Sequence, residues 1–491
     1  MTASAREIFL ISDLHLGGMQ PPSNDPEDRG FRICTHGAAL AQFVSALADK
    51  TTPVELIVNG DMVDFLAEED DGGGWSAFTS DQQAAAKKLD AIIDRERPLF
   101  EAFGKLLERG HRLVLLLGNH DIELTLPAVR KRLADRIGVR GNHDYEFIID
   151  GEAYVVGRTL IEHGNRYDPF NIVDYDGLRR VRSLLSRNMP VPDEYAFEAP
   201  AGSHMVVDVI NPIKKEYRLI DLLKPETGAA LPVLMALEPG YRKVLVRAAA
   251  LSLKSREHRM ASASMPSFAG DISSTGGDTW SPDGFASDIG SSAPPPDALT
   301  IVLRRTMGAN ADLVMAAAPP QVDFAGDIST FDGVDRAIGM ARMLLSSNSA
   351  PFDSRVPALL AAVRALQSDT TFARDAECFT EYLDAARALA KNGFDTVIFG
   401  HTHSARDVAM DAGARYLNSG TWADLIKFPS EILKGTGQQA RDGLRAFVGD
   451  MGQGKLRAWT SFTPTYVKMT VGDDGNVRDV TLCDYTSPQA L

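Results

Sequence analysis

Five short polar motifs lie in order along the chain, and each follows an apolar run. Ile8–Ile11 leads into Asp13-Leu14-His15, and Val54–Val58 into Gly60-Asp61-Met62-Val63-Asp64. Leu113–Leu117 leads into Gly118-Asn119-His120-Asp121, Thr159–Ile161 into His163-Gly164-Asn165, and Thr396–Phe399 into Gly400-His401-Thr402-His403. A short apolar run closed by Gly or Asp reads as a buried strand emptying into a loop. Five such loops set Asp, His and Asn side chains at the carboxyl ends of neighbouring strands, where open α/β sheets place their ligands. The expected fold class is therefore α/β, and the expected chemistry is that of a metal-dependent enzyme.

The residue types sharpen this. Asp13 and His15, two apart at a strand end, are expected to project to one side because side-chain direction alternates along a strand. Asp61 can use both carboxylate oxygens and so bridge two cations. Asn119 offers a neutral oxygen, and His163, His401 and His403 offer imidazole nitrogens. Such mixed ligation suits manganese, iron, zinc, cobalt or nickel better than magnesium or calcium. The expected cofactor is a pair of divalent transition-metal ions, manganese in first place. Two such ions about 3.5–4 Å apart can polarise a phosphoryl oxygen and generate a bridging hydroxide. His120, adjacent to a ligand, is placed to protonate a leaving alkoxide, with Asp64 behind it to fix its orientation.

In this order the motifs D-x-H, G-D-x-x-D, G-N-H-D, H-G and G-H-x-H resemble the calcineurin-like metallophosphoesterase superfamily. The resemblance covers roughly residues 5 to 175 and 391 to 485. It implies a four-layer αββα sandwich around a dimetal site that hydrolyses phosphomonoesters, phosphodiesters or pyrophosphates. It also implies one metal on Asp13, His15, Asp61 and His403, a second on Asp61, Asn119, His163 and His401, and His120 as the general acid. Ser12-Asp13-Leu14-His15-Leu16-Gly17 is similar to the bacterial branch that includes UDP-2,3-diacylglucosamine pyrophosphatase. His163 to Asn171 and Asn418-Ser419-Gly420-Thr421-Trp422 look more like longer bacterial phosphoesterases.

At 491 residues the chain exceeds a usual single domain of about 100–200 residues. The reading is a core formed by 1–175 and 391–491, interrupted by a helical cap at 176–390. Within that insertion, 261–297 is rich in Ser, Gly, Pro and Asp and reads as a mobile excursion. It begins a short repeat: Phe268–Ser273, Phe285–Gly290 and Phe324–Ser329. The C-terminal stretches 466–471 and 477–482 read as a closing hairpin.

No run of about 18 uncharged apolar residues is present, which argues against a transmembrane helix. The best candidate, 229–253, is interrupted by Glu238-Pro239, Arg242, Lys243 and Arg247. The start of the chain leaves no room for a cleavable signal before the first motif. Cys34, Cys378 and Cys483 are read as reduced thiols of a cytoplasmic protein. The net charge of −15 disfavours nucleic acid as a partner, while oligomeric state stays open. Two other readings remain: a metal-dependent nuclease of the same fold, and a non-catalytic scaffold.

A second Gly141-Asn142-His143-Asp144 follows Gly138-Val139-Arg140, a poor strand, so His143 is read as a loop histidine. His36, His111, His204 and His258 lack partner spacing. His36, Arg32 and Arg166 are possible phosphate contacts, with ordinary surface roles the commoner reading, and Trp422 is read as core.

Overall fold

The computed structural model describes residues 5–19, 29–141, 144–168, 170–215, 220–223, 233, 310–312, 350–368, 370–452, 455 and 457–491. The segment 261–297 with its repeats, the 229–253 stretch other than Val233, His143 and His258 lie outside the described residues.

Along β1 (Arg6–Ile11), Phe9 and Ile11 bury against helices, while Ile8 and Leu10 bury against a second sheet. That double burial explains why the run is continuously apolar instead of alternating. The same holds for β2 (Val54–Asn59) and β3 (Arg112–Leu116). With β4 (Tyr145–Ile148) these strands run parallel. On the other edge, β12 (Thr465–Val471) pairs antiparallel with β1, and β13 (Val477–Asp484) pairs antiparallel with β12. The six-stranded order is β13-β12-β1-β2-β3-β4.

The second sheet has β6 (Thr159–Ile161), β7 (Thr396–Phe399) and β9 (Arg415–Asn418) in parallel. The antiparallel edges are β5 (Tyr154–Val156) and β8 (Arg406–Ala409). Ile57, Val114 and Val467 from the first sheet meet Ile161, Ile398 and Leu417 from the second. A small two-stranded antiparallel sheet pairs β10 (Leu425–Ile426) with β11 (Thr460–Ser461).

Helices cover both outer faces. On the first sheet lie α1 (Gly37–Ala48), α2 (Gln82–Arg95), α3 (Arg97–Glu108) and α4 (Pro127–Ile137). The same core takes in α5 (Tyr175–Leu185), α6 (Ala350–Leu366) and, further along, α8 (Gly437–Gly452). Under the second sheet, Tyr382 and Ala386 of α7 (Thr380–Lys391) pack on Val397, Phe399 and Tyr416. The fold is an αββα sandwich, with two central sheets whose parallel strands all point their carboxyl ends at one rim.

Candidate metal centre

Every motif loop leaves a parallel strand at that rim. Past the end of β1 the two first loops stay cross-tied: Asp13 N–H donates to the Gly60 carbonyl at 3.2 Å, and Leu14 and His15 N–H both donate to the Asp61 carbonyl at 2.9 Å. Asp13 and His15 do not reach the rim by strand alternation, as their spacing suggests. β1 ends at Ile11, and both residues have left-handed backbone, with φ 52° and 43°. Asp61, His401 and His403 are left-handed as well (49°, 68°, 56°), so five of the seven described non-glycine residues with positive φ are motif residues. Such conformations cost about 1–3 kcal/mol each and persist only where the surroundings hold them.

The turns bring the motifs together. Asp13, His15 and His403 form one group whose ligand atoms lie within 4.8 Å of one another, and Asp61, His163 and His401 form a second. The Nε2 atoms of His15 and His403 are 2.9 Å apart, and His403 Nε2 is 3.4 Å from Asp13 Oδ1. Asp61 Oδ2 stands between the groups, 3.6 Å from His15 Nε2 and 3.2 Å from His163 Nε2. Its other oxygen accepts the His120 N–H at 2.9 Å. Close backbone approach makes this possible: a Cβ on Gly118 would fall 2.0 Å from Asp61 Oδ1, and one on Gly60 would fall 2.4 Å from His163 Nδ1.

Asn119, next to Gly118 in the third motif loop, is 2% exposed. Its amide nitrogen donates to Asn171 Oδ1 at 3.2 Å, while its Oδ1 is buried without a hydrogen-bond partner. An orphaned buried acceptor calls for an explanation such as an ion.

Electrostatics point the same way. Asp13, Asp61 and Asp64 are all buried, and among the described residues their ion-pair partners are imidazoles, never Lys or Arg. Buried charge of this kind needs compensation. Burial raises the Asp13 carboxyl and outweighs the neighbouring His163. Burial also opposes ionisation of Asp61, but His163 and His120 hold its carboxyl well below the usual range. For His163 burial is again overcome: Asp61 and Asp13 raise the imidazole to about 10. The donor set of carboxylate, amide and imidazole suits divalent transition-metal cations.

Partners outside the ligand groups set the tautomers. His163 Nδ1 donates to the Asn59 carbonyl at 2.8 Å, which turns Nε2 toward Asp61. His401 Nε2 donates to Asp168 Oδ2 at 3.1 Å, which leaves Nδ1 as the ring's lone-pair nitrogen. His120 Nδ1 lies 3.1 Å from Asp64 Oδ1, and the two rings of His15 and His120 meet edge to face. Burial opposes the charge on Asp64, yet His120 and His15 hold its carboxyl far below the usual range.

Sequence reasoning missed most of this supporting shell. Asp121 clamps two loops, accepting Gly118 N–H and Met62 N–H at 2.8 Å each. Asp168 and Asn171 connect His401 to Asn119, and Asn171 Nδ2 donates to Asp168 at 2.7 Å. Asn418 donates to the Gly400 carbonyl at 2.6 Å, and Thr421 to the Asp13 carbonyl at 2.7 Å. The available signal was the motif neighbourhood itself, since each missed residue sits within or beside a motif string.

The remaining candidates have ordinary places. Trp422 is fully buried and donates to the Thr465 carbonyl, as its core reading expects. His36 bonds Asp424 at 2.8 Å and stacks on Phe462, and Arg166 reaches the Gly151 carbonyl and Glu162. Arg32 donates to the Arg29 carbonyl, and His111 accepts from Val54 N–H. His204 lies beside Glu198. All three cysteines are free thiols, and among the described residues no helix is long and apolar enough to cross a membrane.

A two-sheet sandwich with His/Asp groups gathered around Asp61 at its rim is an arrangement able to hold divalent cations. Residues 7–208 match the calcineurin-like phosphoesterase family, and the two-sheet sandwich is consistent with that match. The matched stretch contains four of the five motifs, and β7 with Gly400–His403 completes the rim from outside it. No curated protein matches the chain.

Proposed function

We propose that the chain hydrolyses phosphate esters at a dinuclear centre, with Asp13, His15, Asp61 and His403 holding one divalent cation and Asp61, Asn119, His163 and His401 the other. The observation that carries this is the position of Asp61 Oδ2, within 3.6 Å of an imidazole nitrogen from each group. Two bound cations supply phosphoryl polarisation and a water nucleophile at neutral pH, and manganese is the first choice.

The protein's own residues do the rest. Asp64 holds the Nδ1 side of His120, so Nε2 is the atom that delivers a proton to the departing alkoxide. The carboxylate also favours the charged imidazole that must exist before that transfer. Asn119 is steadied by Asn171, and His401 by Asp168, so both keep a single orientation through turnover.

The segment 176–390 is proposed as the element that selects the substrate. Its described part reaches the motif loops: Asn211 Nδ2 donates to the Leu66 carbonyl just after Asp64, and Lys214 Nζ to the Phe31 carbonyl. Phe31 in turn pairs with Met19, downstream of His15.

The test is metal content and activity together. Reconstituted protein should bind close to two manganese ions per chain and hydrolyse p-nitrophenyl phosphate or its bis ester. Asp61→Asn should lower both occupancies, whereas His163→Ala should lower one. Metal content near zero after reconstitution refutes the proposal.

A further inference from the structure

A cleft opens beside the second histidine of the last motif. It is small, with about 50 Å³ of space open to water, and its walls include His403, Thr421, Phe372, Arg374, Lys427 and Thr463. Thr421 is the residue whose hydroxyl holds the Asp13 carbonyl, so the cleft shares a wall with the first cation site.

Its charge is unlike that of the chain. The protein carries 66 acidic against 51 basic residues, yet the cleft lining holds Arg374 and Lys427 and no carboxylate. Arg374 is engaged outside the cleft by Asp484, at 3.1 Å through Nη1. Lys427 is half-buried, its Nζ lies 4.8 Å from the centre of the Phe372 ring, and no described carboxylate comes within ion-pair distance. Burial and the nearby Arg374 lower the basicity of its ammonium, outweighing the more distant Asp484. Thr463 adds a neutral hydroxyl donor, while the hydroxyls of Thr421 and Thr465 already donate to the Asp13 and Ser419 carbonyls.

We infer that this cleft receives a second anionic group of the substrate, a phosphate or carboxylate carried by the part of the ester beyond the scissile phosphoryl group, with Lys427 as its principal contact. The inference rests on the dinuclear hydrolase proposed above and names its substrate class: phosphate esters with a second negative charge. One consequence is selection against esters with a cationic arm, which would meet Lys427 and Arg374.

The experiment uses the full-length, manganese-loaded protein and four p-nitrophenyl phosphodiesters. One is the bis ester, and the others carry a two-carbon arm ending in carboxylate, phosphonate or trimethylammonium. Lys427→Met should lower kcat/KM for an anionic arm by about 10- to 100-fold, the worth of a hydrogen bond to a charged group. It should leave the bis ester unchanged and leave the trimethylammonium ester unchanged or improved. Lys427→Arg should restore most of the loss. The larger loss between the carboxylate and phosphonate arms identifies the source of the anion. An equal effect on all four esters, or none on the anionic arms, overturns the inference. If the wild type hydrolyses none of them, the hydrolase proposal fails separately. The cleft is then read by calorimetric binding of phosphonoacetate, which Lys427→Met should weaken at least tenfold, and unchanged binding overturns it.

Discussion

Asp168 offers the sharpest test of how the second cation site is built. Its Oδ2 takes the Nε2 proton of His401 at 3.1 Å and the Asn171 amide at 2.7 Å, and Asn171 in turn orients Asn119. One carboxylate therefore fixes two of the four ligands assigned to that site. In Asp168→Asn, Oδ1 can still accept the Phe170 N–H, so the local turn keeps its cap. The new NH₂, however, faces an imidazole N–H and an amide N–H, so both contacts lose their acceptor. Loss of such outer partners commonly costs 10- to 100-fold in metal affinity, or about 1.4–2.7 kcal/mol. Manganese titration followed by elemental analysis and electron paramagnetic resonance should show one weakened site, with the site of Asp13, His15 and His403 nearly unchanged. Asp168 keeps a side-chain exposure of 21%, so unfolding is not expected, and thermal melting should move by only a few degrees. If both sites weaken equally, or neither does, the tautomer argument for His401 is wrong.

Other outcomes follow from single contacts. His120→Ala should retain both metals and lower kcat by about 10²–10⁴-fold on esters with poor leaving groups, with a smaller loss on p-nitrophenyl esters; an equal loss on both refutes proton donation. Asp121→Ala strands two buried N–H donors, at Gly118 and Met62, and should cost about 2–6 kcal/mol in denaturant unfolding, with metal affinity falling in parallel. Glu123 is buried, and burial raises its carboxyl to about 8 against a nearby Lys88. A carboxyl raised in the folded state stabilises fully below its ordinary value near 4.5 and loses that contribution as pH rises through 8. Glu123→Gln keeps an acceptor for Thr79 N–H and should match the wild type at pH 5, then exceed its urea midpoint by pH 9.

The core strands were legible because burial on both faces writes a continuous apolar run, and because Gly or Asp closes each run where the chain must turn. Thr159–Ile161 and Thr396–Phe399 begin and end where the sequence pattern places them. The helix at Pro127–Ile137 ends likewise where the sequence offers a stop, with Gly138 in left-handed conformation. The closing hairpin appears at Thr465–Val471 and Val477–Asp484. Strands β4, β5 and β8 were not legible. They are short edge strands, and β4 is only half-buried along its length, so neither burial nor periodicity marks them. The supporting residues escaped for another reason. Asp168, Asn171 and Asp121 act through contacts between loops distant in sequence, and nothing in a local pattern encodes which carboxylate meets which imidazole.

The left-handed backbone at the motif residues ties these observations together. A strand end would present Asp13 and His15 on the same face but pointing across the sheet, about 7 Å apart along the chain. Left-handed turns at both residues instead bring His15 Nε2 to 4.0 Å from Asp13 Oδ1. The same device at His401 and His403 divides one tripeptide between the two groups. The strain is held by the ladder between the first two loops and by the 400–403 loop, where His401 N–H donates to both Asp13 oxygens at 3.0 Å. The carboxylate assigned to one cation thus fixes the backbone of a residue assigned to the other. Relaxing Asp13 would therefore disturb the second site without removing any of its ligands. In Asp13→Ala the His401 turn loses its anchor, and occupancy of both cations should fall. In His15→Ala, which leaves that anchor in place, the second cation should remain.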